Sequence, residues 1–355
     1  MDSSTASDFV LLLALRGATI AALGAVAMLG GALIVRRLAQ YRARLKQRLA
    51  EQWRPILTRV ALDESGAPIV ATPPRARHMA HVMEEWSAFQ DALRGSGTTR
   101  LNALARQVGI DVAARRWLRR GNLGLRILAI RTIGHLRDPA DWQLLQQRLF
   151  APNALLAFYA AAALIQIDAQ RAMPGIAMQL ADREEWPGEA IAGLLKEAGT
   201  HVTRDPIRSL ILSIAPARIP RLLPWLGRAD PILASEIATQ LLRRETRDPR
   251  IVAAALLVLQ DPQLLPEIRP LAASTDPEVR KNLAIALGHL GDVHDQELLV
   301  SLMGDSLWWV RYRAAEALVN LRGMSTALLD ATRARLTDRY ARDMLDHVRA
   351  EALPA

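Results

Sequence analysis

The chain has 355 residues, of which 51% are apolar, 5% are aromatic and none is cysteine, so it is long enough to bury a sizeable core but cannot form disulfides, thiolate nucleophiles or cysteine-ligated metal sites. Because the apolar residues are mostly Ala and Leu, which favour helices, the composition predicts an all-helical protein. The net charge of +9 is concentrated in residues 1–60, which carry nine Arg or Lys and three acids and leave +3 for the rest, and this distribution argues against a nucleic-acid-binding body.

Residues 9–35 form the first predicted element, a helix long enough to span a membrane. Arg16 is the only charged residue in this stretch, and a helix of about 20 apolar residues crosses the hydrocarbon layer. A cleaved signal peptide is the alternative, with Ala25-Val26-Ala27 as its cleavage site. The apolar sequence, however, continues beyond that site to Val35 and ends at Arg36-Arg37, as a stop signal does. We therefore expect a retained membrane anchor.

Charges on either side of this helix predict its orientation. Residues 1–8 form a short tail with two acids and no cation, whereas many cations follow the helix. The positive-inside rule then places the N-terminus outside an inner membrane and the rest of the chain in the cytoplasm. The residues expected to contact the membrane are Arg16, Arg36, Arg37, Arg42, Arg44, Lys46 and Arg48. We expect Arg16 to reach the outer headgroups, and its pairing with an acid on a partner's membrane helix is the alternative.

Residues 36–59 form a predicted basic amphipathic helix. Its apolar residues recur at spacings of three and four among Arg and Lys, and they are Leu38, Tyr41, Leu45, Leu49 and Trp53. Such a helix lies on an anionic leaflet, where lipid headgroups are its partners. A plain helical stalk with a solvated charged face is the alternative. Residues 60–76, which are rich in Pro, interrupt the periodicity and are predicted to be a linker.

Internal similarity begins after the linker. Residues 133–145, IGHLRDPADWQLL, align without a gap with residues 287–299, LGHLGDVHDQELL, and share seven identities in thirteen columns. Val279-Arg280 recurs as Val310-Arg311, which gives the length of one repeat step. The same step from Arg126 leads to a looser copy of the pattern. Repeated helix-turn-helix units of this length are typical of an α-solenoid.

The repeat array is predicted over residues 77–337. Its apolar periodicity indicates about seven or eight helix pairs between residues 98 and 335. Asp-Pro pairs predict helix starts, because Asp caps a helix and Pro suits its first position. These pairs begin at residues 138, 205, 230, 248, 261 and 276. Residues 338–355 are charged and are expected to form a C-terminal capping helix and a tail.

The unit D-P-E-V-R-x-x-x-A-x-A-L-G-x-L-G-D, which begins at Asp276, resembles the HEAT repeat family, in particular its short bacterial, PBS-lyase-like forms. The resemblance covers residues 98–335, strongly in three copies and loosely elsewhere. It implies a curved solenoid that binds other macromolecules. With its predicted anchor and its Trp-Trp-Val-Arg motif, the chain is also similar to bacterial HEAT proteins that accompany membrane glycosyltransferases of cell-surface polysaccharide synthesis.

The sequence contains no motif for catalysis or for a cofactor. It lacks a Gly-rich phosphate loop, a nucleophile elbow and the His-Glu pairs of iron-dependent HEAT-like hydroxylases. His78 and His81 have a spacing compatible with zinc but no further ligand signal, so no metal is expected. His135 and His289 recur at equivalent repeat positions and are expected to cap or pack. We therefore expect no enzyme and no cofactor, and a HEAT-like lyase or hydrolase with dispersed residues is the alternative.

Residues 106–131 are the most basic stretch of the body, with seven Arg and one Asp. The spacing brings Arg115, Arg116, Arg119 and Arg120 to one side of a helix, with Trp117 among them. Such a patch suits an acidic partner surface or lipid headgroups, and an ordinary solvated face is the alternative. Nucleic acid fits less well, because the body is nearly neutral.

Trp308 and Trp309 begin a predicted helix. At about 100° per residue both side chains point away from the apolar stripe of that helix, on opposite sides. The preceding repeat has Pro and Glu at these positions. Exposed aromatic side chains beside Arg311 are typical of a binding hot spot. The alternative is packing against the neighbouring repeat, with Arg280 or Arg311 stacked on a ring.

These patterns predict an all-α protein, in which one N-terminal transmembrane helix precedes an α-solenoid of about seven or eight helix-turn-helix repeats. We expect it to be a membrane-anchored scaffold or adaptor that binds a membrane-associated protein partner. The resemblance implies a glycosyltransferase or polysaccharide synthesis complex as that partner. A periplasmic binding module of inverted topology is the alternative.

Overall fold

The computed structural model describes residues 3–62, 71–93, 95–244 and 248–352, without the side chains of residues 3–27, 29, 30, 34, 38 and 42. Within these ranges the chain forms 18 α-helices and six short 3-10 turns. The helices pack in sequential pairs, as in a solenoid, so the predicted all-α class is confirmed. The chain divides into two compact units, Met1–Leu136 and Arg137–Ala355.

The first unit contains five helices around one core. They are α1 (Ser3–Leu62), α2 (Met79–Ala92), α3 (Ser96–Gln107), α4 (Ile110–Arg120) and α5 (Leu123–Leu136). Trp86 of α2 is fully buried in this core, and its Nε1 donates a hydrogen bond to the carbonyl oxygen of Leu101 at 2.9 Å. This bond satisfies the indole N–H, so the large ring is buried without leaving a polar atom unpaired.

The C-terminal part of α1 belongs to this core. Leu49, Trp53 and Leu57 are buried, and α1 packs on α2 and α3. The predicted amphipathic helix is therefore present. Protein covers its apolar face from Leu49 to Leu57, which corrects the expectation of a leaflet there, whereas Tyr41 is exposed. Lys46, predicted to contact lipid, pairs with Glu84 of α2 at 3.2 Å.

The predicted membrane segment, residues 9–35, lies within the continuous helix α1. Most of its side chains, including that of Arg16, fall outside the described residues, as does the side chain of Arg42. Where the structure describes the chain, no helix combines the length and the apolarity of a membrane span. Of the predicted linker, residues 60–62 belong to α1, residues 63–70 lie outside the described ranges, and residues 71–75 have no regular structure.

The second unit contains the remaining helices. They are α6 (Trp142–Leu149), α7 (Ala154–Asp182), α8 (Gly188–Ala198), α9 (Thr200–Ser213), α10 (Ile219–Ala229), α11 (Pro231–Leu242), α12 (Pro249–Val258), α13 (Leu265–Ile268), α14 (Pro277–Leu290), α15 (Gln296–Met303), α16 (Trp308–Asn320), α17 (Thr326–Arg335) and α18 (Arg339–Ala352). Helices α8, α10, α12, α14, α16 and α18 form one layer, in which each packs on the next. Their first residues follow one another at nearly constant intervals, which define the repeat length.

Helix α7 supplies both members of a further pair. Its backbone leaves the helical region at Asp168, where φ is −158° and ψ is 95°. The Oδ1 atom of Asp168 accepts a hydrogen bond from the backbone N–H of Arg171 at 3.0 Å. Asp168 therefore caps a second helical segment, as an N-cap residue does.

Five of the six Asp-Pro pairs mark the start of a helix or a 3-10 turn. Asp138, Asp230, Asp248, Asp261 and Asp276 each accept a hydrogen bond from a backbone N–H of the first turn. The sixth prediction is wrong, because α9 begins at Thr200 and contains Pro206 in its interior. Thr203, Ile207 and Ile211 of α9 are buried at spacings of four, and this packing outweighs the local preference of Pro for a helix start.

The two stretches with seven identities have the same local structure. In the first, α5 is followed by the turn Pro139–Asp141 and by α6, and in the second α14 is followed by the turn Val293–Asp295 and by α15. The corresponding helices have equal lengths, 14 and 8 residues. The predicted repeat is confirmed at these two places.

Candidate protein-binding surface

The first turn of α16 lacks the side-chain cap found in α14. In α14, Asp276 accepts hydrogen bonds from the backbone N–H groups of Glu278 and Val279 at 2.8 and 3.3 Å. Leu307 occupies the N-cap position of α16 and offers no acceptor side chain. The N-cap side chain therefore leaves the N–H groups of the first turn without an acceptor, while Asp305 accepts a hydrogen bond from the N–H of Leu307 itself at 2.9 Å.

Aromatic side chains surround this first turn. Trp308 and Trp309 are 43% and 62% exposed. Their rings meet edge to face with centroids 4.5 Å apart, and Trp308 stacks on Tyr312 at 5.1 Å. Tyr340, on α18, is exposed as well. We call Leu307, Trp308, Trp309, Tyr312 and Tyr340 the aromatic surface. Both Trp side chains lie off the buried stripe, as their helical position predicts.

An open cleft of about 390 Å³ borders the aromatic surface. Trp308, Arg311, Tyr340, Asp343, Met344 and His347 line it. The guanidinium carbon of Arg311 lies 5.9 Å from the centre of the Tyr340 ring, within the range of a cation–π contact. The cleft therefore combines apolar rings with a cation.

The two arginines that were candidates for stacking on a Trp ring are engaged elsewhere. Arg280 holds the carboxylate of Asp305 through Nε and one terminal nitrogen, at 2.5 and 3.0 Å. Arg311 donates to the carbonyl oxygens of Asp305 and Ser306 at 2.8 and 3.1 Å. Because of the hydrogen bonds from Arg280, the pKa of Asp305 lies below its usual range.

A hydrogen bond ties α16 to α18 beside the cleft. The hydroxyl of Tyr312 donates to Oε2 of Glu351 at 3.0 Å. This bond, together with partial burial and the charge of the carboxylate, raises the pKa of Tyr312 above its usual value. The hydrogen bond thus fixes the Tyr312 ring, on which the Trp308 ring stacks.

The predicted basic patch lies on α4, in the first unit. Arg116, Arg119 and Arg120 are exposed, whereas Arg115 pairs with Asp111 at 3.1 Å. Trp117 is half-buried, so it contributes less surface than the other candidates. The patch is present, with three exposed cations in place of the four that the spacing predicted.

The histidines behave differently from one another. His135 lies 3.2 Å from a carboxylate oxygen of Asp91 and meets the Trp86 ring edge to face, so it packs between helices, which is one of its two predicted roles. His289 is exposed. His81 lies 3.7 Å from Glu84. Among the residues that the structure describes, no group of three or more His, Asp or Glu side chains is arranged to hold a metal ion.

The sequence analysis missed Tyr340 and Arg342 as parts of the repeat. They lie one repeat step after Trp309 and Arg311. Arg342 donates to the carbonyl oxygen of Thr337 at 3.3 Å, just as Arg311 donates to that of Ser306. The helix predicted as a cap is therefore a further copy of the repeat helix. The signal in the sequence is the repeat length, since one further step from Val310-Arg311 leads to Ala341-Arg342.

Layered helices that recur at a nearly constant interval define an α-helical repeat protein. The sequence model of the HEAT repeats family matches residues 219–319 and, in a second overlapping match, residues 265–355. Residues 219–355, which include the aromatic surface, therefore consist of HEAT repeats. No curated protein matches the chain.

Proposed function

We propose that the protein is a membrane-anchored HEAT-repeat scaffold, without catalytic residues of its own, that binds a protein partner through the aromatic surface. The observation that carries this proposal is the exposure of Trp308 and Trp309 on a helix whose Val310, Leu318 and three Ala residues are buried. Trp beside Arg is the composition of interface hot spots, and exposed aromatic clusters mark interaction sites. The resemblance to HEAT proteins of polysaccharide synthesis makes a membrane glycosyltransferase complex the first partner to test.

The membrane part of the proposal rests on α1. Residues 17–35 contain no charge, and Met28, Leu33 and Val35, whose side chains are described, are exposed. Apolar side chains that no other helix covers are suited to a lipid environment. Because α1 continues into the core of the first unit, one helix would connect the bilayer to the folded body.

The charges that follow this segment support a cytoplasmic body. Arg36, Arg37, Arg44 and Arg48 are exposed, and cations next to a membrane helix favour the cytoplasmic side. The same side chains are available to anionic headgroups, each with about 1 kcal/mol near the surface. The exposed arginines of α4 form a second candidate contact, either with lipid headgroups or with an acidic partner.

Affinity purification of the full-length, detergent-extracted protein tests the binding role. We expect Trp309→Ala to reduce recovery of the main partner at least about tenfold, the effect of losing a hot spot. Ile232→Ala is the matched control, because Ile232 is an equally exposed apolar residue of the same unit. Equal recovery with both variants, or an equal loss, would contradict the proposal.

Two measurements test the membrane part independently. Deletion of residues 1–35 is expected to release the protein from membranes that retain the full chain after a carbonate wash. An alkaline phosphatase fused to the C-terminus of the full chain is expected to be inactive in a bacterial host. Activity of that fusion would place the body outside the cytoplasm and reject the proposed orientation.

A further inference from the structure

Three arginines recur at one position of the repeat. Arg280, Arg311 and Arg342 are equally spaced, one repeat step apart. Each donates to a backbone carbonyl five or six residues earlier in the chain. The three guanidinium groups therefore have corresponding places in their repeats, and the groups around them can be compared position by position.

Arg280 and Arg311 differ in the acceptor for the guanidinium atoms that do not bond to the backbone carbonyls. Arg280 uses Nε and a terminal nitrogen to hold Asp305, in a pair whose side chains are 15% and 7% exposed. The residue one repeat step after Asp305 is Leu336, which provides no carboxylate. The Nε of Arg311 is buried and has no hydrogen-bond partner within the described part of the chain. Arg311 therefore lacks the carboxylate partner that Arg280 has, and because Arg311 lines the cleft, a carboxylate supplied there from outside would be favoured.

The surroundings of Arg311 indicate what carries that carboxylate. The cleft lies beside the exposed rings of Trp308 and Tyr340, and the adjacent start of α16 has no acidic cap. Asp343 also lines the cleft and pairs with Arg339 at 3.5 Å. Glu351 accepts the hydrogen bond of the Tyr312 hydroxyl beside the cleft. These acids oppose a polyanion such as nucleic acid. A single carboxylate flanked by apolar side chains complements the rings and the cation with little repulsion.

We propose that the cleft beside the aromatic surface binds a peptide segment of the partner in which one Asp or Glu is flanked by large apolar residues. The carboxylate binds the guanidinium group of Arg311 in the cleft, and the flanking residues contact Trp308, Trp309 and Tyr340. This inference rests on the proposed binding function and names the chemistry of the bound segment.

Selection of random short peptides on the immobilised full-length protein tests the inference. We expect the enriched peptides to share one acid next to large apolar residues. Each enriched peptide is then synthesised in two forms, one with its Asp or Glu and one with the corresponding Asn or Gln. The affinity of both forms is measured for wild type and for Arg311→Gln. Loss of a charge-assisted hydrogen bond is expected to weaken binding of the amide peptide to wild type by about tenfold or more. The same change is expected to have little effect on binding to Arg311→Gln.

Arg342→Gln is the matched control, because Arg342 has the same repeat position and a carbonyl bond but does not line the cleft. Arg311→Lys, which keeps the charge, serves if Arg311→Gln does not fold. An equal acid-to-amide effect in wild type and Arg311→Gln, a selection without acidic peptides, or one without any binder would overturn the inference. Failure of the proposed function is a different result, since recovery of the partner from detergent extracts would then be equal for Trp309→Ala and Ile232→Ala.

Discussion

Helices α14 and α16 are successive copies of one repeat unit, and they differ most in their first turn. The residues that face neighbouring helices are buried in both, Val279 and Leu287 in α14 and Val310 and Leu318 in α16. The two helices approach so closely that a Cβ atom on Gly288 would lie 3.0 Å from the Cβ atom of Ala317. Packing therefore restricts the inward positions of both copies.

The residues that begin the two helices have changed, although the Val-Arg pair that follows them is the same in both. Helix α14 begins after a capping Asp with Pro and Glu, whereas α16 has Leu, Trp and Trp at the corresponding positions 307–309. A polar, capped helix start has become an apolar, uncapped one. The comparison teaches that this repeat separates residues for stacking from residues for recognition, and the following changes test that separation.

The largest effect is expected at the ion pair between the two helices. Asp305→Asn removes the charge that Arg280 binds, in a pair that is largely buried. We expect the free energy of unfolding to fall by about 3 kcal/mol, since a buried cation loses its partner. The urea midpoint measures this loss. Asp343→Asn, in an exposed pair with Arg339, is the control and should change the midpoint little.

The same pair predicts a pH dependence. The pKa of Asp305 is lowered in the folded protein, so its contribution to stability is complete above the unfolded pKa of about 4 and is lost as the pH falls further. We expect the difference in urea midpoint between wild type and Asp305→Asn to narrow from pH 6 towards pH 3. Other acids with lowered pKa values, such as Asp346, are present in both proteins and cancel. A constant difference would show that Asp305 does not contribute through its charge.

An exchange of the caps is expected to have an intermediate effect. Asp276→Ala should lower the free energy of unfolding by about 1 kcal/mol, because α14 loses its N-cap. Leu307→Asp should raise it by a similar amount, because α16 gains one. Leu307→Ala separates the new cap from the loss of the Leu side chain. If Leu307→Asp is no more stable than Leu307→Ala, the start of α16 does not accept a cap.

The smallest effect on stability is expected at the aromatic surface. Trp309→Ala should change the free energy of unfolding by less than about 0.5 kcal/mol, as an exposed substitution does. The buried Trp86 is the control, and Trp86→Ala should cost about 3 kcal/mol or more. A large loss of stability in Trp309→Ala would mean that this side chain belongs to the stacking residues and not to a binding surface.

Much of the fold was predictable because its signals are local. The side chain of Asp276 reaches N–H groups two and three residues away, so its capping role can be read from adjacent letters. The prediction at Asp205 was wrong because burial of Ile207 and Ile211 on one side of α9 depends on helices elsewhere in the chain. Tyr340 and Arg342 were missed although the period of the repeat leads to them.

The sequence by itself determined the helices, the repeat length and the outward position of Trp308 and Trp309, because periodicity specifies which side of a helix is apolar. Only the tertiary structure decided what covers each apolar side. It placed Leu49 and Trp53 against neighbouring helices rather than a leaflet. It also paired Asp305 with Arg280, while the Nε of Arg311 has no acceptor in the described chain. An amphipathic pattern encodes that a side is buried, whereas its partner is set by contacts between residues far apart in the chain.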